Sequence, residues 1–251
     1  MFRALYPDCT KGCRDPKSTN KADHAGLCRV LYGRHLDFFR AGVKHRERNF
    51  LAANRVGKSI CAAFELVCHL SGEYPGWWEG RRLTAPSQWW LAGDTMLTTR
   101  NVLQVIMLGP IDGVETQTWT GMLPADLIVG KPTRKSGGIS QCIDTVRVRH
   151  KHGGVITSSL QFMSYDQGRR AFQGTSRHCW LDEEPPDNED IYGECLTRAL
   201  DIDGMVLMTF TPLRGLTPFL AHYVQTSVYL ERDGTESPAS AVFGVSVQSD
   251  K

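Results

Sequence analysis

The chain has 251 residues, of which 41% are apolar and 22% are charged. These values exclude intrinsic disorder and allow one α/β domain with a full core. The 29 basic and 27 acidic side chains leave a net charge of +2, so any contact with DNA requires local positive charge. The sequence has no apolar run long enough to span a membrane and no signal-peptide pattern at its start. We therefore expect a soluble intracellular protein without membrane contact.

The first 30 residues are rich in polar residues, proline and glycine, so they are predicted to form an irregular arm. Cys9 and Cys13 are separated by three residues, ten residues follow, and His24 and Cys28 are again separated by three. Thiolate and imidazole ligands at this spacing suit tetrahedral Zn²⁺, which would order a segment that has little else to order it. Chance clustering in a chain with 8 cysteines is the alternative interpretation.

A strand, a loop and a helix follow the arm. A short helix is predicted over residues 31–40, and an apolar run at residues 49–53 reads as a strand. Beyond the next turn, apolar residues recur at helical spacing from Ile60 to Leu70, and Gly72 is a plausible C-terminal cap. This order of elements is the one that a phosphate-binding loop requires.

The loop between that strand and that helix carries the clearest chemical signal. It consists of Ala52, Ala53, Asn54, Arg55, Val56, Gly57, Lys58 and Ser59. Gly57 lets the backbone amides turn toward phosphate oxygens, Lys58 is expected to reach the β- and γ-phosphates of ATP, and Ser59 to place its hydroxyl on Mg²⁺. Ala52 stands where glycine is usual, so an exposed helix start is the alternative. The flanking strand and helix favour a nucleotide-binding loop.

Further strands are predicted at residues 88–94, 141–149, 158–163, 178–181 and 205–210, with a helix after the first of them. The remaining cysteines have apolar or helical neighbours and are predicted to be small core residues: Cys61, Cys68, Cys142, Cys179 and Cys195. Strands interleaved with helices predict an α/β fold, a P-loop NTPase of the ASCE type with a largely parallel central sheet flanked by helices.

Acidic and hydroxyl side chains follow two of these strands. Asp182 is expected to hold the magnesium shell and Glu183 to polarise the attacking water, with Glu184 as the second candidate for the base. A solvated acidic surface run is the alternative. Thr209 and Thr211 end the last strand, where their hydroxyls could sense the γ-phosphate, although threonine is also an ordinary strand former.

Several segments, taken in order, carry a more specific signal. They are LDFFRAG at residues 36–42, HRER at 45–48, the loop itself, YPGWWEGRR at 74–82, AGDT at 92–95, SYDQGR at 164–169, LDEEPP at 181–186 and TFTPLRG at 209–215. This set resembles the ATPase domain of the large terminase subunit of tailed bacteriophages, over about residues 30–220. The resemblance implies an ATP-driven motor that moves double-stranded viral DNA into a procapsid in the host cell cytoplasm.

The resemblance also implies partners and roles for particular residues. The expected partners are the portal protein, the small terminase subunit and further copies of the chain in a ring. Thr209 and Thr211 fall on the coupling motif, which transmits hydrolysis to movement. Ring motors commonly supply an arginine to the neighbouring site, and Arg169 is our candidate, followed by Arg170 and Arg100.

Two departures from the family pattern stand out. Many terminases have a basic residue where this chain has Asn54, and Arg55 is the candidate to replace it. The family also has a C-terminal nuclease domain, but too few residues follow the coupling motif of this sequence to form one. We therefore expect no DNA cleavage by this chain. The expected organisation is an arm over residues 1–30, an ATPase domain over 31–225 and an extension over 226–251.

Further interpretations remain open at this point. Arg46 or Arg48 is a candidate contact for adenine. A helicase-like translocase would separate DNA strands, whereas a packaging motor would have an ATPase stimulated by duplex DNA, the portal or the small subunit. A non-enzymatic DNA-binding or assembly module with a degenerate nucleotide site would show no hydrolysis above background.

Overall fold

The fold is given by a computed structural model. It describes residues 2–8, 13–14, 17, 23–24, 26–111, 117–135, 139–186, 190–215, 217–230, 236–238 and 244–248. The strands are β1 (Glu47–Leu51), β2 (Gln88–Gly93), β3 (Thr133–Arg134), β4 (Ile143–Arg149), β5 (Thr157–Ser164), β6 (His178–Asp182), β7 (Val206–Phe210), β8 (Ser227–Leu230), β9 (Glu236–Pro238) and β10 (Gly244–Gln248).

The helices lie between these strands. They are α1 (Gly33–Ala41), α2 (Lys58–Ser71), α3 (Met96–Thr98), α4 (Val105–Leu108), α5 (Ile191–Leu200) and α6 (Pro218–Thr226). A π-helical segment, Thr99–Gln104, joins α3 to α4, and short 3₁₀ turns occur at Phe2–Ala4, Ala125–Leu127, Tyr165–Gln167 and Arg169–Phe172. Among the described residues, no helix combines the length and the apolar character that a bilayer span needs.

The strands form one sheet with a parallel centre. Its order is β3-β4-β5-β2-β6-β7-β1-β10-β8-β9. The central strands β5, β2, β6, β7 and β1 are mutually parallel, whereas the outer strands on both sides pair antiparallel. Because the central strands run the same way, their carboxyl ends meet at one edge, which we call the carboxyl edge. The predicted α/β fold with a P-loop NTPase arrangement is confirmed, and β7 lies between the loop strand β1 and the acidic strand β6.

Both faces of the sheet are covered by helices. Side chains alternate along each central strand, so Trp89 and Trp180 pack in one hydrophobic cluster with α2, whereas Trp90 and Leu181 pack in a second cluster with α5. A strand that is buried on both faces has little polar alternation, which explains the nearly continuous apolar runs of the sequence. The cysteines that were predicted to be core residues are all buried, as expected: Cys61, Cys68, Cys142, Cys179 and Cys195.

The start of the chain contributes to the same core. Phe2 and Tyr6 are buried, and their rings lie 5.1 Å and 4.8 Å from the ring of Phe64 in α2. Arg3 pairs with Glu73, which follows α2. The beginning of the predicted arm is therefore packed onto the body of the domain.

Candidate functional site at the carboxyl edge of the sheet

The phosphate loop lies at the carboxyl edge, between β1 and α2. Gly57 caps the N-terminus of α2 with a left-handed φ of 87°, a conformation that glycine adopts without steric cost. A Cβ atom at Gly57 would also come within 3.1 Å of His35 Cε1. Arg55 adopts a left-handed φ of 65° and is exposed. The loop thus turns sharply into the helix, whose N-terminal amides face the carboxyl edge.

Lys58 lies at the centre of this loop. Its Nζ donates hydrogen bonds to the carbonyl oxygens of Ala52 and Ala53, at 3.1 and 3.0 Å, and to Thr211 Oγ1 at 2.8 Å. Burial lowers the pKa of Lys58, while Glu183 and Asp182 act in the opposite direction. The ammonium group is therefore held on the loop by three oxygen atoms and faces two carboxylates.

Asp182 joins the loop to the sheet. Its Oδ1 accepts hydrogen bonds from Ser59 Oγ at 2.9 Å and from Thr209 Oγ1 at 2.6 Å. Thr209 Oγ1 in turn accepts a bond of 2.7 Å from Trp180 Nε1, so the hydroxyl proton is directed at the carboxylate. Burial raises the pKa of Asp182, and the bonds from Thr209 and Ser59 and the charge of Lys58 offset part of that shift. A hydroxyl and a carboxylate are hard oxygen ligands, so this pair fits Mg²⁺.

The two glutamates after Asp182 have different surroundings. Glu183 is exposed at the carboxyl edge, with a left-handed φ of 66° and its backbone N–H bonded to Thr209 O at 2.9 Å. Partial desolvation raises the pKa of its carboxyl group, and the nearby Asp182 raises it further. Glu184 is buried and accepts a hydrogen bond from Thr217 Oγ1. Of the two glutamates, Glu183 is the one that is exposed to solvent.

Thr211 contacts the loop directly. Besides accepting from Lys58, its hydroxyl lies 3.0 Å from Ala52 O and 2.8 Å from Asn54 Oδ1. The strand end of β7 therefore touches the acidic residue through Thr209 and the loop through Thr211. These contacts bring together the predicted residues Lys58, Ser59, Asp182, Thr209 and Thr211, with Asn54 at their margin.

The predicted arginines lie elsewhere. Arg169 is half exposed and its Nη1 lies 2.9 Å from Glu194 Oε1 of α5 in the same chain. Arg46 precedes β1 and pairs with Asp203, and the whole length of β1 separates it from Ala52, a distance of roughly 20 Å along an extended strand. Its position does not fit the predicted adenine contact.

Arg48 does not fit that contact either. It is completely buried, with its guanidinium 2.8 Å from Glu65 Oε1 and 2.6 Å from Phe38 O. Burial alone would raise the pKa of Glu65, but Arg48 and His69 bring it below the usual range. The pair is part of the core and not of the carboxyl edge.

The predicted zinc ligands are partly described. Cys13, His24 and Cys28 each offer one ligand atom, and these atoms all lie within 4.8 Å of one another. Cys9, the remaining predicted ligand, lies outside the described residues. The cluster is part of the arm and is separate from the carboxyl edge.

Sequence reasoning missed the residues that support the site from behind. Tyr165 OH lies 3.1 Å from Asp182 O and 2.9 Å from Glu183 O, so it fixes the turn that carries both carboxylates. His35 Nε2 lies 3.1 Å from Val56 O of the loop, and Tyr6 OH lies 2.7 Å from His35 Nδ1. Tyr165 was within a recognised segment, but no pattern in the sequence marks His35 or Tyr6.

Comparisons with known proteins identify the family of the chain. The sequence profile of the family described as "Terminase large subunit, T4likevirus-type, N-terminal" matches residues 49–243. The chain belongs to the large terminase subunit family. It is also 32% identical over 210 residues to the terminase large subunit of Salmonella phage P22, a match that covers 77% of this chain and 41% of that protein. The chain thus spans about two fifths of the length of this terminase relative.

Two solved terminase structures are more distant matches. The large terminase ATPase domain of Thermus phage P74-26 has 16% sequence identity and a TM-score of 0.46, with 74% of this chain and 68% of that one covered. The large terminase of bacteriophage HK97 has 14% identity and a TM-score of 0.47, with 80% of this chain and 35% of that one covered.

Proposed function

We propose that this terminase domain hydrolyses ATP in complex with Mg²⁺ and that the reaction drives double-stranded DNA into a procapsid. The observation that carries the proposal is the contact set at the carboxyl edge, where Lys58, Ser59, Asp182 and the strand-end threonines are joined by hydrogen bonds. A buried lysine, a hydroxyl and a carboxylate beside a helix N-terminus make a site for a magnesium-bound triphosphate.

Each residue has a defined task in this proposal. Lys58 would bind the β- and γ-phosphates, and Ser59 and Asp182 would hold Mg²⁺, which when bound would supply positive charge to neutralise the phosphate oxygens. Glu183 would orient the attacking water and accept its proton. The pKa of its carboxyl group is raised, which makes the carboxylate a stronger base. Tyr165 keeps the Glu183 backbone in its left-handed conformation.

The threonines of β7 would couple hydrolysis to movement. Thr211 shares hydrogen bonds with Lys58 and Asn54, and Thr209 with Asp182. A change in phosphate contacts at Lys58 therefore alters the contacts of the β7 strand end. This supports the coupling role that the resemblance assigns to Thr209 and Thr211.

The decisive experiment measures ATPase rates of the full chain with and without duplex DNA. Lys58→Ala should abolish nucleotide binding, because it removes the buried ammonium group that is expected to contact the β- and γ-phosphates. Glu183→Gln should retain nucleotide affinity but lower turnover by roughly 100- to 10,000-fold, as expected for loss of a general base. Glu184→Gln is the matched control, since Glu184 is buried against Thr217, and its turnover should stay within a few-fold of the wild type.

The outcomes distinguish the other functions. Equal background rates in the wild type, Lys58→Ala and Glu183→Gln, also in the assembled ring, would favour a non-enzymatic assembly module. ATP-dependent strand separation would favour a helicase-like translocase. Hydrolysis stimulated by duplex DNA without strand separation supports the packaging motor.

We further propose that the chain acts in a homo-oligomeric ring with the portal protein and the small terminase subunit. Arg169 would leave Glu194 and enter the neighbouring site, which its exposure at the surface permits. Arg169→Ala should then lower turnover in the assembled ring while leaving nucleotide affinity of the isolated chain unchanged. Arg170→Ala is the adjacent control, and an equal effect of both substitutions would contradict the assignment.

A further inference from the structure

We infer that Cys13, His24 and Cys28 form a structural site for a thiophilic divalent cation, Zn²⁺ in particular. The two Sγ atoms and one ring nitrogen all lie within 4.8 Å of one another. Ligand atoms on a tetrahedral zinc ion, with bonds of about 2.0–2.3 Å, lie roughly 3.6–3.8 Å apart. Small side-chain rotations therefore suffice to bring all three onto one ion. Two thiolates and one imidazole are also the ligand types that zinc prefers.

The backbone holds the three ligands near one another. The N–H of Arg14, next to Cys13, donates a 2.7 Å hydrogen bond to the carbonyl of Asp23, next to His24. The N–H of Arg29, next to Cys28, donates a bond of 3.3 Å to Pro7 O. Each ligand thus has a neighbouring residue in a backbone contact that closes the arm upon itself. This pre-organisation lowers the entropy that metal binding must overcome.

The site lies where a cross-link would stabilise the domain. Cys28 is buried, and its carbonyl accepts a 3.0 Å hydrogen bond from Tyr32 N at the start of α1. Arg29 also pairs with Asp8 at 2.8 Å and lies over the ring of Trp77. A metal ion at the cluster would fasten the arm to the surface that α1 and Trp77 present.

The arm reaches the back of the phosphate loop. Tyr6, immediately before the Pro7 contact, bonds to His35 of α1, and His35 bonds to Val56 in the loop. The zinc site would therefore hold in place the segment from which Tyr6 supports His35. This role is structural and requires no catalytic activity of the domain.

A disulfide between Cys13 and Cys28 is the competing chemistry. Neither residue is disulfide-bonded in the structure, and the imidazole of His24 lies within 4.8 Å of both Sγ atoms, which suits a shared metal ion. Intact mass under non-reducing conditions separates the two, because a disulfide lowers the mass by two hydrogens.

The test is metal analysis of the full chain without an affinity tag. We expect about one zinc ion per chain and, after exchange with cobalt(II), the intense d–d absorption of tetrahedral coordination with thiolate charge-transfer bands. Cys13→Ser and His24→Asn should each lower zinc content several-fold. Cys142→Ala and His152→Asn, which alter a cysteine and a histidine outside the cluster, should leave it unchanged.

Thermal unfolding provides a readout besides metal content. A chelator should lower the wild-type Tm by about 5 °C or more and should have little effect on Cys13→Ser or His24→Asn. Cys28 is buried, so its substitution would also disturb the packing around it and would not report on metal binding alone. Three results would each overturn the inference. The first is a zinc content far below one ion per chain together with no tetrahedral cobalt spectrum, and the second is a zinc content that Cys13→Ser and His24→Asn do not change. The third is a Cys13–Cys28 disulfide in the native chain.

Discussion

The histidine behind the phosphate loop should make the stability of the domain sensitive to pH. His35 is almost completely buried between Tyr6 and Val56, and burial lowers its pKa to about 4. Val56 O can only accept a hydrogen bond, so Nε2 carries the proton of the neutral ring and Nδ1 accepts from Tyr6 OH. A second proton on Nδ1 would reverse the bond to Tyr6 in a site with little water.

The size of this effect follows from proton linkage. The folded pKa of His35 of about 4 lies below the ordinary value of 6.5, so its contribution to stability is complete above pH 6.5 and is lost as the pH falls toward 4. From those two pKa values, the free energy of unfolding should fall by about 2 kcal/mol between pH 7 and 5, and by about 3 kcal/mol between pH 7 and 4. This is a large part of the stability of an ordinary domain.

Urea unfolding at several pH values measures the effect. His35→Gln can retain a donor near Val56 O, whereas His35→Asn can retain an acceptor near Tyr6 OH, and neither side chain titrates. Between pH 7 and 4, the free energy of unfolding of both variants should fall by about 3 kcal/mol less than that of the wild type. His178, whose pKa burial lowers to about 3, titrates in all these proteins and does not affect the difference. Superimposable pH profiles of the wild type and both variants would refute the reasoning.

Three further substitutions test other parts of the structure. Arg48→Met should lower the free energy of unfolding by about 3–5 kcal/mol, because it removes the arginine partner of the buried Glu65 carboxylate and leaves it only the bond to His69; a smaller loss in urea unfolding would argue against a strong Arg48–Glu65 pair. Gly57→Ala should abolish nucleotide binding in calorimetry, since its Cβ atom would face His35 in a left-handed conformation; unchanged affinity would contradict this. Tyr165→Phe should cost about 1 kcal/mol in thermal unfolding and lower turnover with little change in nucleotide affinity, and an unaltered rate would rule out its support of the carboxylates.

The parts of the fold that sequence could predict are those with local signals. The helix after the loop was expected to stop at Gly72, and α2 does end at Ser71, with Gly72 left-handed at its C-terminus. The first strand was expected over residues 49–53, but β1 is Glu47–Leu51. Ala52 and Ala53 leave the sheet because their carbonyl oxygens turn toward Lys58. Apolar character does not distinguish a strand residue from a loop residue whose backbone binds a cation.

The parts that sequence could not predict depend on contacts between distant segments. Arg48 was a candidate contact for adenine, but its partner Glu65, 17 residues further along the chain, is buried with it. Phe2 and Tyr6 lie in a polar arm without periodicity, yet both are buried because their rings pack against the ring of Phe64 in the core. In each case the partner decides whether the residue is buried, and no local pattern identifies that partner.

The position of β7 gives the proposed motor site a physical route for coupling. In the sheet order, β7 separates the loop strand β1 from the acidic strand β6 and forms parallel hydrogen bonds with both. Thr209 lies in register with Asp182, and Thr211 follows two residues later beside Lys58. Thr211 directly follows the last residue of β7, so both hydroxyls belong to the same strand end, with Thr209 bonded to Asp182 and Thr211 bonded to Lys58. A shift of this strand end would therefore change the contacts of Lys58 and of Asp182 together, which is the linkage a motor requires.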